Sequence, residues 1–329
     1  MADYKTIKGF KIKSLASDPT VDLGQTWYNT TSNTIKYDTI GAGAWASGTA
    51  APTARYAAGG FGTTTAAMLA GGSAPPGAAG GGNQDNSWTF NGTAWTEVAA
   101  INTARRALVG FGTTTSGIIA CGGPPANPPT GDSAENWNGA GWTEVASCNT
   151  GTLLAAGCGT ATAGLKFGGE IPPMLAVTED YNGSCWTEVA DLNTARNSLA
   201  GASAGTPSAT LGFGGNPVSN LTEEYNGSCW TAVNVLNTAR LELGGAGTST
   251  NCIAYLGNTT PSAFLAVTEH WNGTSWTSVA SLATAGDRGQ NTNGNASAAL
   301  AIGRWTGSMS TAVEEWNGVP ASVKTVTTS

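Results

Sequence analysis

The sequence contains little charge, since only 11% of its 329 residues are Asp, Glu, Lys or Arg. Long amphipathic helices need a charged face and strong helix formers, so this composition excludes a fold built on them. Gly, Ala, Ser and Thr are abundant, which favours many short strands joined by glycine-rich turns. The 12 tryptophans exclude simple disorder, because rings this frequent supply buried apolar area.

Long apolar runs are also missing. No segment approaches the roughly 20 apolar residues of a membrane span, and the basic start "MADYKTIKGFKIK" lacks the uninterrupted apolar stretch of a secretory signal. We therefore expect no membrane insertion. The rest of the chain is acidic and the net charge is −7, which argues against a nucleic-acid partner because phosphate binding needs clustered Lys and Arg.

Asn-Gly pairs recur along the chain at intervals of 44 to 47 residues. They begin at Asn91, Asn138, Asn182, Asn226, Asn272 and Asn317. In the first five copies a Trp follows four residues after the Asn. A period of about 40–50 residues in a strand-like sequence is typical of β-propellers.

Each repeat predicts four short strands, the last two joined by Asn-Gly, which is the strongest two-residue hairpin signal. The sixth repeat lacks its Trp, whereas Trp45 stands alone before the first repeat. We expect the strand around Trp45 to complete the sixth blade beside residues 311–317; the competing expectation gives that place to Ser322–Val326. The prediction is an all-β protein with a six-bladed propeller over residues 41–318. An N-terminal arm with a small hairpin would cover residues 1–40, and a tail residues 319–329.

Two columns of the repeat are predicted to be structural. The Trp column comprises Trp45, Trp95, Trp142, Trp186, Trp230 and Trp276, and the Arg column comprises Arg55, Arg105, Arg196 and Arg240. A column of Glu lies in the third strand, and these residues could pair with the Arg column within or between blades, for example Glu223 with Arg240. We expect these pairs to be partly exposed and worth about 0–1 kcal/mol each. In the third repeat Gly151 takes the Arg position.

The six cysteines are predicted to be free thiols. Cys148 aligns with Ile and Leu positions, and Cys121 and Cys158 align with Phe positions, as small apolar substitutes. Free thiols fit assembly in a reducing cytoplasm.

The order Arg, apolar strand, Gly-Gly, Glu-x-Tyr and Trp resembles the kelch repeat. Arg196, Gly214-Gly215, Glu223, Tyr225 and Trp230 carry it in one copy, and the resemblance covers residues 45 to 317. The segments "YNGSCWTEVADLNTAR", "GFGG" and "TEEYNG" resemble kelch-type repeats in virion proteins of tailed bacteriophages. The opening "DLGQTWYNTTSNTIKYD" resembles a hairpin near the start of phage tail and fibre proteins.

This resemblance implies a tail fibre, spike or head-decoration protein, assembled in the host cytoplasm and located on the virion. Its N-terminal arm would contact other virion proteins, and its propeller would bind a host-surface receptor or glycan. A particle-borne glycan-cleaving enzyme is the alternative function, and a cytoplasmic kelch adaptor is a third.

Kelch propellers include copper-radical oxidases, but their metal site needs at least two His ligands and His270 is the only histidine. His270 shares a repeat column with Asn136, Asp180, Glu224 and Glu315, which predicts a solvated strand position. We therefore expect no metal and no cofactor.

Glycan hydrolysis needs two carboxylates at a controlled separation. Asp85, Asp132 and Glu170, near the loops between second and third strands, are the best candidates because they do not follow the repeat. The stretch "VDLGQTWYN" resembles a sialidase Asp-box at Asp22 and Trp27, but it occurs once and outside the propeller, so we interpret it as a turn. We expect the protein to bind rather than to catalyse.

Loops on a rigid scaffold carry binding function, and the loops between second and third strands vary most. Six apolar residues there have no role in the repeat: Met174, Leu175, Phe264, Leu265, Trp305 and Met309. They predict a binding patch on one side of the ring. The alternative is that they pack against neighbouring loops.

Overall fold

The structure is a computed structural model of the chain, and it describes residues 13–18, 26–39, 43–75, 82–123, 131–260, 263–287, 292–318 and 322–326. Within these residues the fold is all-β and contains no helix. The chain divides into two compact units, one of Met1–Ala44 with Gly318–Ser329 and one of Trp45–Asn317.

Most strands are only four or five residues long, as the glycine-rich turns predict. In chain order they are β1 (Lys13–Leu15), β2 (Thr26–Asn29), β3 (Thr34–Thr39), β4 (Ala44–Ser47), β5 (Gly59–Thr63), β6 (Ala66–Ala70), β7 (Ser73–Ala74), β8 (Gly82–Asn83), β9 (Ser87–Phe90), β10 (Trp95–Val98), β11 (Val109–Thr113), β12 (Ser116–Ala120), β13 (Ala134–Trp137), β14 (Trp142–Val145), β15 (Ala156–Thr160), β16 (Ala163–Phe167), β17 (Thr178–Tyr181), β18 (Trp186–Val189), β19 (Ala200–Gly201), β20 (Thr210–Phe213), β21 (Thr222–Tyr225), β22 (Trp230–Val233), β23 (Gly244–Gly247), β24 (Cys252–Tyr255), β25 (Thr268–Trp271), β26 (Trp276–Val279), β27 (Thr292–Asn295), β28 (Ala298–Trp305), β29 (Met309–Asn317) and β30 (Ser322–Thr325).

The smaller unit holds one four-stranded sheet in the order β1-β2-β3-β30. Strands β2 and β3 form the predicted hairpin, with Asn29 opposite Thr34. Beside it, the Asp18 carboxylate accepts hydrogen bonds from Asn29 Nδ2 and Lys36 Nζ, both at 2.7 Å. Asp22 of the Asp-box resemblance lies outside the described residues.

The larger unit contains six four-stranded sheets, one for each repeat. Sheet 1 has the order β10-β9-β6-β5, with a small β7-β8 ribbon beside it; sheets 2 to 5 are β11-β12-β13-β14, β15-β16-β17-β18, β19-β20-β21-β22 and β23-β24-β25-β26; sheet 6 is β27-β28-β29-β4. Within sheets 1 to 5 neighbouring strands are antiparallel. The prediction of four strands per repeat is therefore confirmed.

Asn-Gly hairpins join the third and fourth strands, as predicted. In sheet 3 the Asn182 side-chain oxygen accepts the backbone N–H groups of Ser184 at 2.9 Å and Cys185 at 3.0 Å. Gly183 has φ +90°, a left-handed conformation that glycine adopts without steric cost. The same side-chain bonds recur at Asn91, Asn138, Asn226 and Asn272.

The fourth strand of sheet 6 comes from the N-terminal side of the repeats. Strand β4 lies beside β29, Gly48 N donates to Val313 O at 2.8 Å, and the rings of Trp45 and Trp316 lie 5.4 Å apart. Strand β30 pairs with β3 instead. The expectation that the strand around Trp45 completes the sixth sheet is confirmed, and the competing role for Ser322–Val326 is wrong because β30 belongs to the other unit.

The six sheets of this unit contact one another in chain order through their first strands. Strand β5 contacts β11, and the contacts continue through β15, β19, β23 and β27, which in turn contacts β5. Glycine permits this close approach, since a Cβ on Gly110 would lie 3.0 Å from the Gly60 carbonyl oxygen. A cavity lined by the first strands of sheets 2 to 4 and by Leu243 beside that of sheet 5 has a volume of only about 20 Å³, which is room for about one water. The unit is a propeller-like all-β fold.

The repeated tryptophans pack between sheets. Trp186 meets Phe111 of the preceding sheet at 6.3 Å between ring centroids, and Trp230 meets Phe167 at 4.8 Å. Trp45 follows the same rule, because its ring lies 5.2 Å from Tyr255 of sheet 5. Trp142, Trp186, Trp230 and Trp276 are buried, as predicted.

Trp45 and Trp95 are only half-buried, which corrects the expectation of a uniform column. They belong to sheets 6 and 1, where the two ends of the repeat array meet. The Trp95 ring packs 4.9 Å from Phe90 of its own hairpin, and its Nε1 donates to Thr49 O at 3.1 Å. Among the described contacts, sheet 6 offers Trp95 no aromatic partner.

Candidate binding surface

The Arg and Glu columns form buried ion pairs within single sheets. Arg196 Nη2 lies 2.8 Å from Glu223 Oε1, and its Nη1 donates to the carbonyl oxygens of Gly214 at 2.8 Å and Leu221 at 3.1 Å. The second carboxylate oxygen of Glu223 accepts the Asn193 N–H at 2.7 Å. The pair thus fastens the segment that enters sheet 4 to the third strand of that sheet.

Equivalent pairs join Arg105 to Glu135 in sheet 2 and Arg240 to Glu269 in sheet 5. The expectation of partly exposed pairs is wrong, since the pairs are buried. Of the two possible pairings, within a sheet or between sheets, the structure has the first, so the partner of Glu223 is Arg196 and not Arg240. Burial lowers the pKa of the Arg240 guanidinium to about 10, although Glu269 acts in the opposite direction, so the group stays charged at neutral pH.

Sheet 3 lacks the arginine but keeps a buried cation. Lys166 on β16 is fully buried, and its Nζ lies 2.8 Å from Glu179 Oε1 and 2.7 Å from Thr150 O. The Leu153–Glu170 bridge is equivalent to the Arg106–Gly123 bridge of sheet 2, so Thr152 stands where sheet 2 has Arg105. This corrects the alignment of Gly151 with the Arg column by one residue.

In sheet 6 the buried cation comes from the second strand. Gly286 occupies the Arg position, and Arg304 on β28 reaches Glu314 at 2.7 Å and Thr284 O at 2.7 Å. Gly286 leaves space for this side chain, since a Cβ there would lie 2.7 Å from Arg304 Cδ. Lys166 and Arg304 were not anticipated from the sequence; the available signal was a cation inside an apolar strand of a repeat that lacks Arg.

Sheet 1 has the Arg but not the Glu. The guanidinium carbon of Arg55 lies 3.9 Å from the ring centroid of Trp88, which occupies the Glu position and offers a cation–π contact instead. Burial lowers the pKa of Arg55 to about 9, against the attraction of Glu97 and Asp85. A buried cation with a dedicated partner is thus common to all six sheets.

The two ends of the sheets differ in how regular they are. At one end, which we call the turn end, hairpins of four residues join third and fourth strands in sheets 1 to 5: 91–94, 138–141, 182–185, 226–229 and 272–275. At the other end, which we call the loop end, the connections between second and third strands span 71–86, 121–133, 168–177, 214–221, 256–267 and 306–308. Variation is therefore concentrated at the loop end.

Short β-bridges anchor the base of the loop end in every sheet. They join Tyr56 to Ser73, Arg106 to Gly123, Leu153 to Glu170, Asn197 to Asn216, Leu241 to Asn258 and Asp287 to Trp305. The first residue of each bridge directly follows the position of the buried Arg, and it changes from repeat to repeat. Sequence reasoning missed this variation, and burial varies with it, since Arg106 is exposed whereas Asn197 and Asp287 are buried.

Side chains of these bridges link neighbouring sheets. Arg106 Nη1 of sheet 2 donates to the Tyr56 hydroxyl of sheet 1 at 3.1 Å, and the Tyr56 ring lies 6.1 Å from that of Trp305 in sheet 6. Asn258 Nδ2 of sheet 5 donates to Asp287 of sheet 6 at 2.5 Å, and Asn197 of sheet 4 donates to Glu170 of sheet 3. These polar and aromatic contacts cross four of the six junctions between neighbouring sheets at the loop end.

The six apolar residues predicted to bind are all half-buried and are distributed over sheets 3, 5 and 6: Met174, Leu175, Phe264, Leu265, Trp305 and Met309. Backbone bonds hold them in equivalent ways, since Leu175 N donates to Gly169 O and Leu265 N to Gly257 O, both at 2.8 Å. Sheet 4 separates the first pair of residues from the second. They lie at the loop end, where sheets 3, 5 and 6 each carry a separate small apolar patch formed by two of these residues.

The three candidate catalytic carboxylates do not share a described cavity. Asp85 and Asp132 are exposed, and their carbonyl oxygens accept the N–H groups of Ile101 and Cys148, which makes them equivalent positions of consecutive repeats. The same position holds Ala176, Asn220 and Ala266 in sheets 3 to 5, so the two carboxylates depart from the repeat in residue type but not in backbone position. Glu170 is half-buried and bonded to Asn197.

The single histidine is buried, which corrects the expectation of a solvated position. His270 is 7% exposed and its Nε2 lies 2.7 Å from Asn251 Oδ1. Burial lowers the pKa of His270. Over the described part of the chain, no group of three His, Cys, Asp or Glu side chains has the geometry to hold a metal ion.

A groove of about 310 Å³ lies at the turn end, between sheets 1 and 2. Its lining includes Thr65, Asn91, Thr114 and Gly139, together with the ring of Trp137. None of the residues predicted from the sequence to bind or to catalyse belongs to it.

No protein-family model and no curated protein matches this chain. The described residues also include no helix that is long and apolar enough to cross a bilayer.

Proposed function

We propose that residues 45–317 form a six-bladed kelch-like β-propeller that serves as a binding module. Three observations support the blade count: the cycle of contacts between first strands, the placement of β4 in sheet 6, and a buried cation in every sheet. Closing the sheets into a ring leaves no exposed stacking face at either end of the array.

We propose further that the protein is a virion component of a tailed bacteriophage: a tail fibre, spike or head-decoration protein. The kelch-type and tail-type sequence resemblances support this role. The N-terminal sheet would attach the chain to other virion proteins, and the propeller would bind a host-surface receptor, a glycan or a neighbouring virion protein.

The observation that carries the binding role is the contrast between the two ends of the sheets. The turn end repeats one hairpin five times, whereas the loop end differs in length and chemistry in every repeat. At the turn end only the first connections of sheets 4 and 5 depart from the pattern, at 202–209 and 248–251. A rigid scaffold with variation concentrated at one end is the arrangement expected of a recognition surface. The buried Glu carboxylates of sheets 2 to 6 are paired with Arg or Lys side chains and are therefore not free to act as catalytic acids or bases, which favours binding over hydrolysis.

A loop graft tests the recognition surface. Replacing residues 170–175 of sheet 3 with residues 216–219 of sheet 4 keeps the flanking bonds, because Leu192 N–Ala176 O and Leu236 N–Asn220 O are equivalent. We expect the full-length graft to bind cells of the bacterial host at least about tenfold more weakly than the parent. Melting curves would establish that both are folded.

The matched control alters the opposite end. Changing Ser184→Thr and Cys185→Ala gives sheet 3 the hairpin sequence of sheet 1, and binding should not change. Equal binding by the graft and the parent, in host-cell and particle assays alike, would rule out the loop end as the recognition surface.

Mass spectrometry of purified particles tests the virion assignment. We expect the chain among the particle proteins, with cross-links between the lysines of residues 1–36 and another virion protein. A chain found in lysates of infected cells but absent from particles would contradict the assignment.

A further inference from the structure

Two cysteine side chains meet inside sheet 2. Cys121 Sγ lies 2.9 Å from Cys148 Sγ, and both residues are buried. Cys121 follows β12, whereas Cys148 lies in the segment that enters sheet 3. A disulfide bond has a length of about 2.05 Å, so the two sulfurs need to approach by less than about 1 Å.

The two positions contact each other in other repeats too, but with different residues. Cys121 N donates to Ser133 O as Gly71 N donates to Asn86 O, so Cys121 stands at a glycine position and not at a Phe position as the sequence alignment suggested. A Cβ on Gly71 would lie 3.2 Å from Cδ1 of Ile101, the residue equivalent to Cys148. Compared with sheet 1, sheet 2 has Cys121 in place of the glycine and the shorter side chain of Cys148 in place of the isoleucine.

Packing alone does not require cysteine here. Sheet 5 fills the same two positions with Leu256 and Leu282, both buried. Leu256 also shares the left-handed backbone of Cys121, with φ +59° against +60°, so the conformation at this position does not require cysteine either. The paired cysteines therefore point to sulfur chemistry.

The surroundings favour a thiolate on one member of the pair. Burial raises the pKa of Cys121, but the hydrogen bond with Cys148 and the Lys166 ammonium outweigh burial and lower this pKa to about 6. The hydrogen bond with Cys121 and burial raise the pKa of Cys148. The thiolate is the form that attacks a disulfide.

We propose that Cys121 and Cys148 form a reversible disulfide that fastens the end of β12 to the segment entering sheet 3. The Cys121 thiolate attacks one sulfur of a small-molecule disulfide such as oxidised glutathione, and one glutathione thiolate leaves. Cys148 loses its proton and attacks the Cys121 sulfur, which releases the second glutathione. The protein loses two electrons and two protons, and the small disulfide becomes two thiols.

The buried location sets when this exchange happens. Since Lys166 and Cys148 lower the pKa of Cys121 only in the native arrangement, a small disulfide reaches these sulfurs when the folded sheet opens transiently, and the closed sheet then shields the bond from reductants. The loop that the bond closes is 27 residues in sequence separation, long enough for a substantial entropic stabilisation of the fold.

The test uses the full-length chain with Cys185→Ala and Cys229→Ala, which removes the two exposed thiols. The protein is refolded with oxidised glutathione or with excess reduced glutathione, free thiols are alkylated after denaturation, and peptides are mapped by mass spectrometry. We expect a cross-linked peptide pair carrying Cys121 and Cys148 only after oxidation, with Cys158 and Cys252 alkylated in both samples. Oxidation should raise Tm by roughly 5 °C or more.

The matched control restores the residue types of other repeats at both positions. The double variants Cys121→Gly/Cys148→Leu and Cys121→Leu/Cys148→Leu should melt at the same temperature in both glutathione buffers, and the second remains available if the first does not fold. Free thiols at both positions in the oxidised folded protein, or a bond that leaves Tm unchanged, would overturn the proposal.

Discussion

Arg196 and Glu223 face each other across 2.8 Å in the interior of sheet 4, although 27 residues separate them in the sequence. Removing one partner of such a pair leaves a buried charge without its counter-ion, which costs about 3–5 kcal/mol. We expect Arg196→Met and Glu223→Leu each to lose about this much free energy of unfolding. The double variant should lose less than their sum, with a coupling of about 1–3 kcal/mol in urea titrations.

The control for this cycle pairs Glu223→Leu with Arg240→Met. Arg240 bonds to Glu269 in the next sheet, so the two losses should add within about 0.5 kcal/mol. If the Glu223–Arg240 cycle gave the same coupling free energy as the Arg196–Glu223 cycle, that coupling could not be attributed to the ion pair.

Lys166 and Glu179 predict a rescue. Lys166→Ile, which gives β16 the residue of sheet 2, should destabilise the protein by about 3–5 kcal/mol because Glu179 is fully buried. Adding Thr152→Arg restores a cation at the Arg position and should recover at least half of the loss. Thr152→Arg alone places two cations against one carboxylate and should destabilise. Chemical denaturation of the three variants measures the effect, and failure of the double variant to recover stability would contradict the equivalence of the two positions.

Trp186 and Trp95 occupy the same repeat column but differ in burial. Trp186 is 5% exposed and packs against the preceding sheet, so Trp186→Ala should cost about 3–5 kcal/mol. Trp95 is half-buried, and Trp95→Ala should cost roughly half as much. Equal losses in thermal and chemical unfolding would show that the inter-sheet contact does not determine the cost.

His270 predicts a dependence of stability on pH. Burial lowers its pKa in the folded state below the ordinary value of 6.5, so the unfolded chain takes up the proton first. Its contribution to stability is present above about pH 6.5 and is lost as the pH falls from there towards the folded-state pKa.

His270→Asn, which introduces the residue of the equivalent position Asn136, is the control. Relative to this variant, the wild-type Tm should fall more steeply as the pH drops below about 6.5. Parallel curves would contradict the assignment of this pH dependence to His270.

The turn chemistry could be predicted from sequence because it is local. Asn182 and Gly183 meet all the requirements of the hairpin between them, and the next Asn-Gly pair repeats them. Counting favoured the strand around Trp45 as the closing strand, because the sixth repeat has no Trp and Trp45 precedes the first repeat, but it left Ser322–Val326 as an alternative. Burial of the ion pairs, in contrast, depends on how tightly neighbouring strands pack, and this packing could not be predicted from the repeat alignment.

The sequence by itself determined the number of repeats, the strands within them and the hairpins, because each follows from periodicity and turn preferences within a few residues. It allowed two origins for the closing strand, and the tertiary structure decided for the strand around Trp45. Only the tertiary structure decided which cation meets which carboxylate, that Lys166 and Arg304 replace missing arginines, and that Cys121 touches Cys148. These partners come from different strands, and the need to neutralise a buried charge or fill a space can be met from any strand that reaches it.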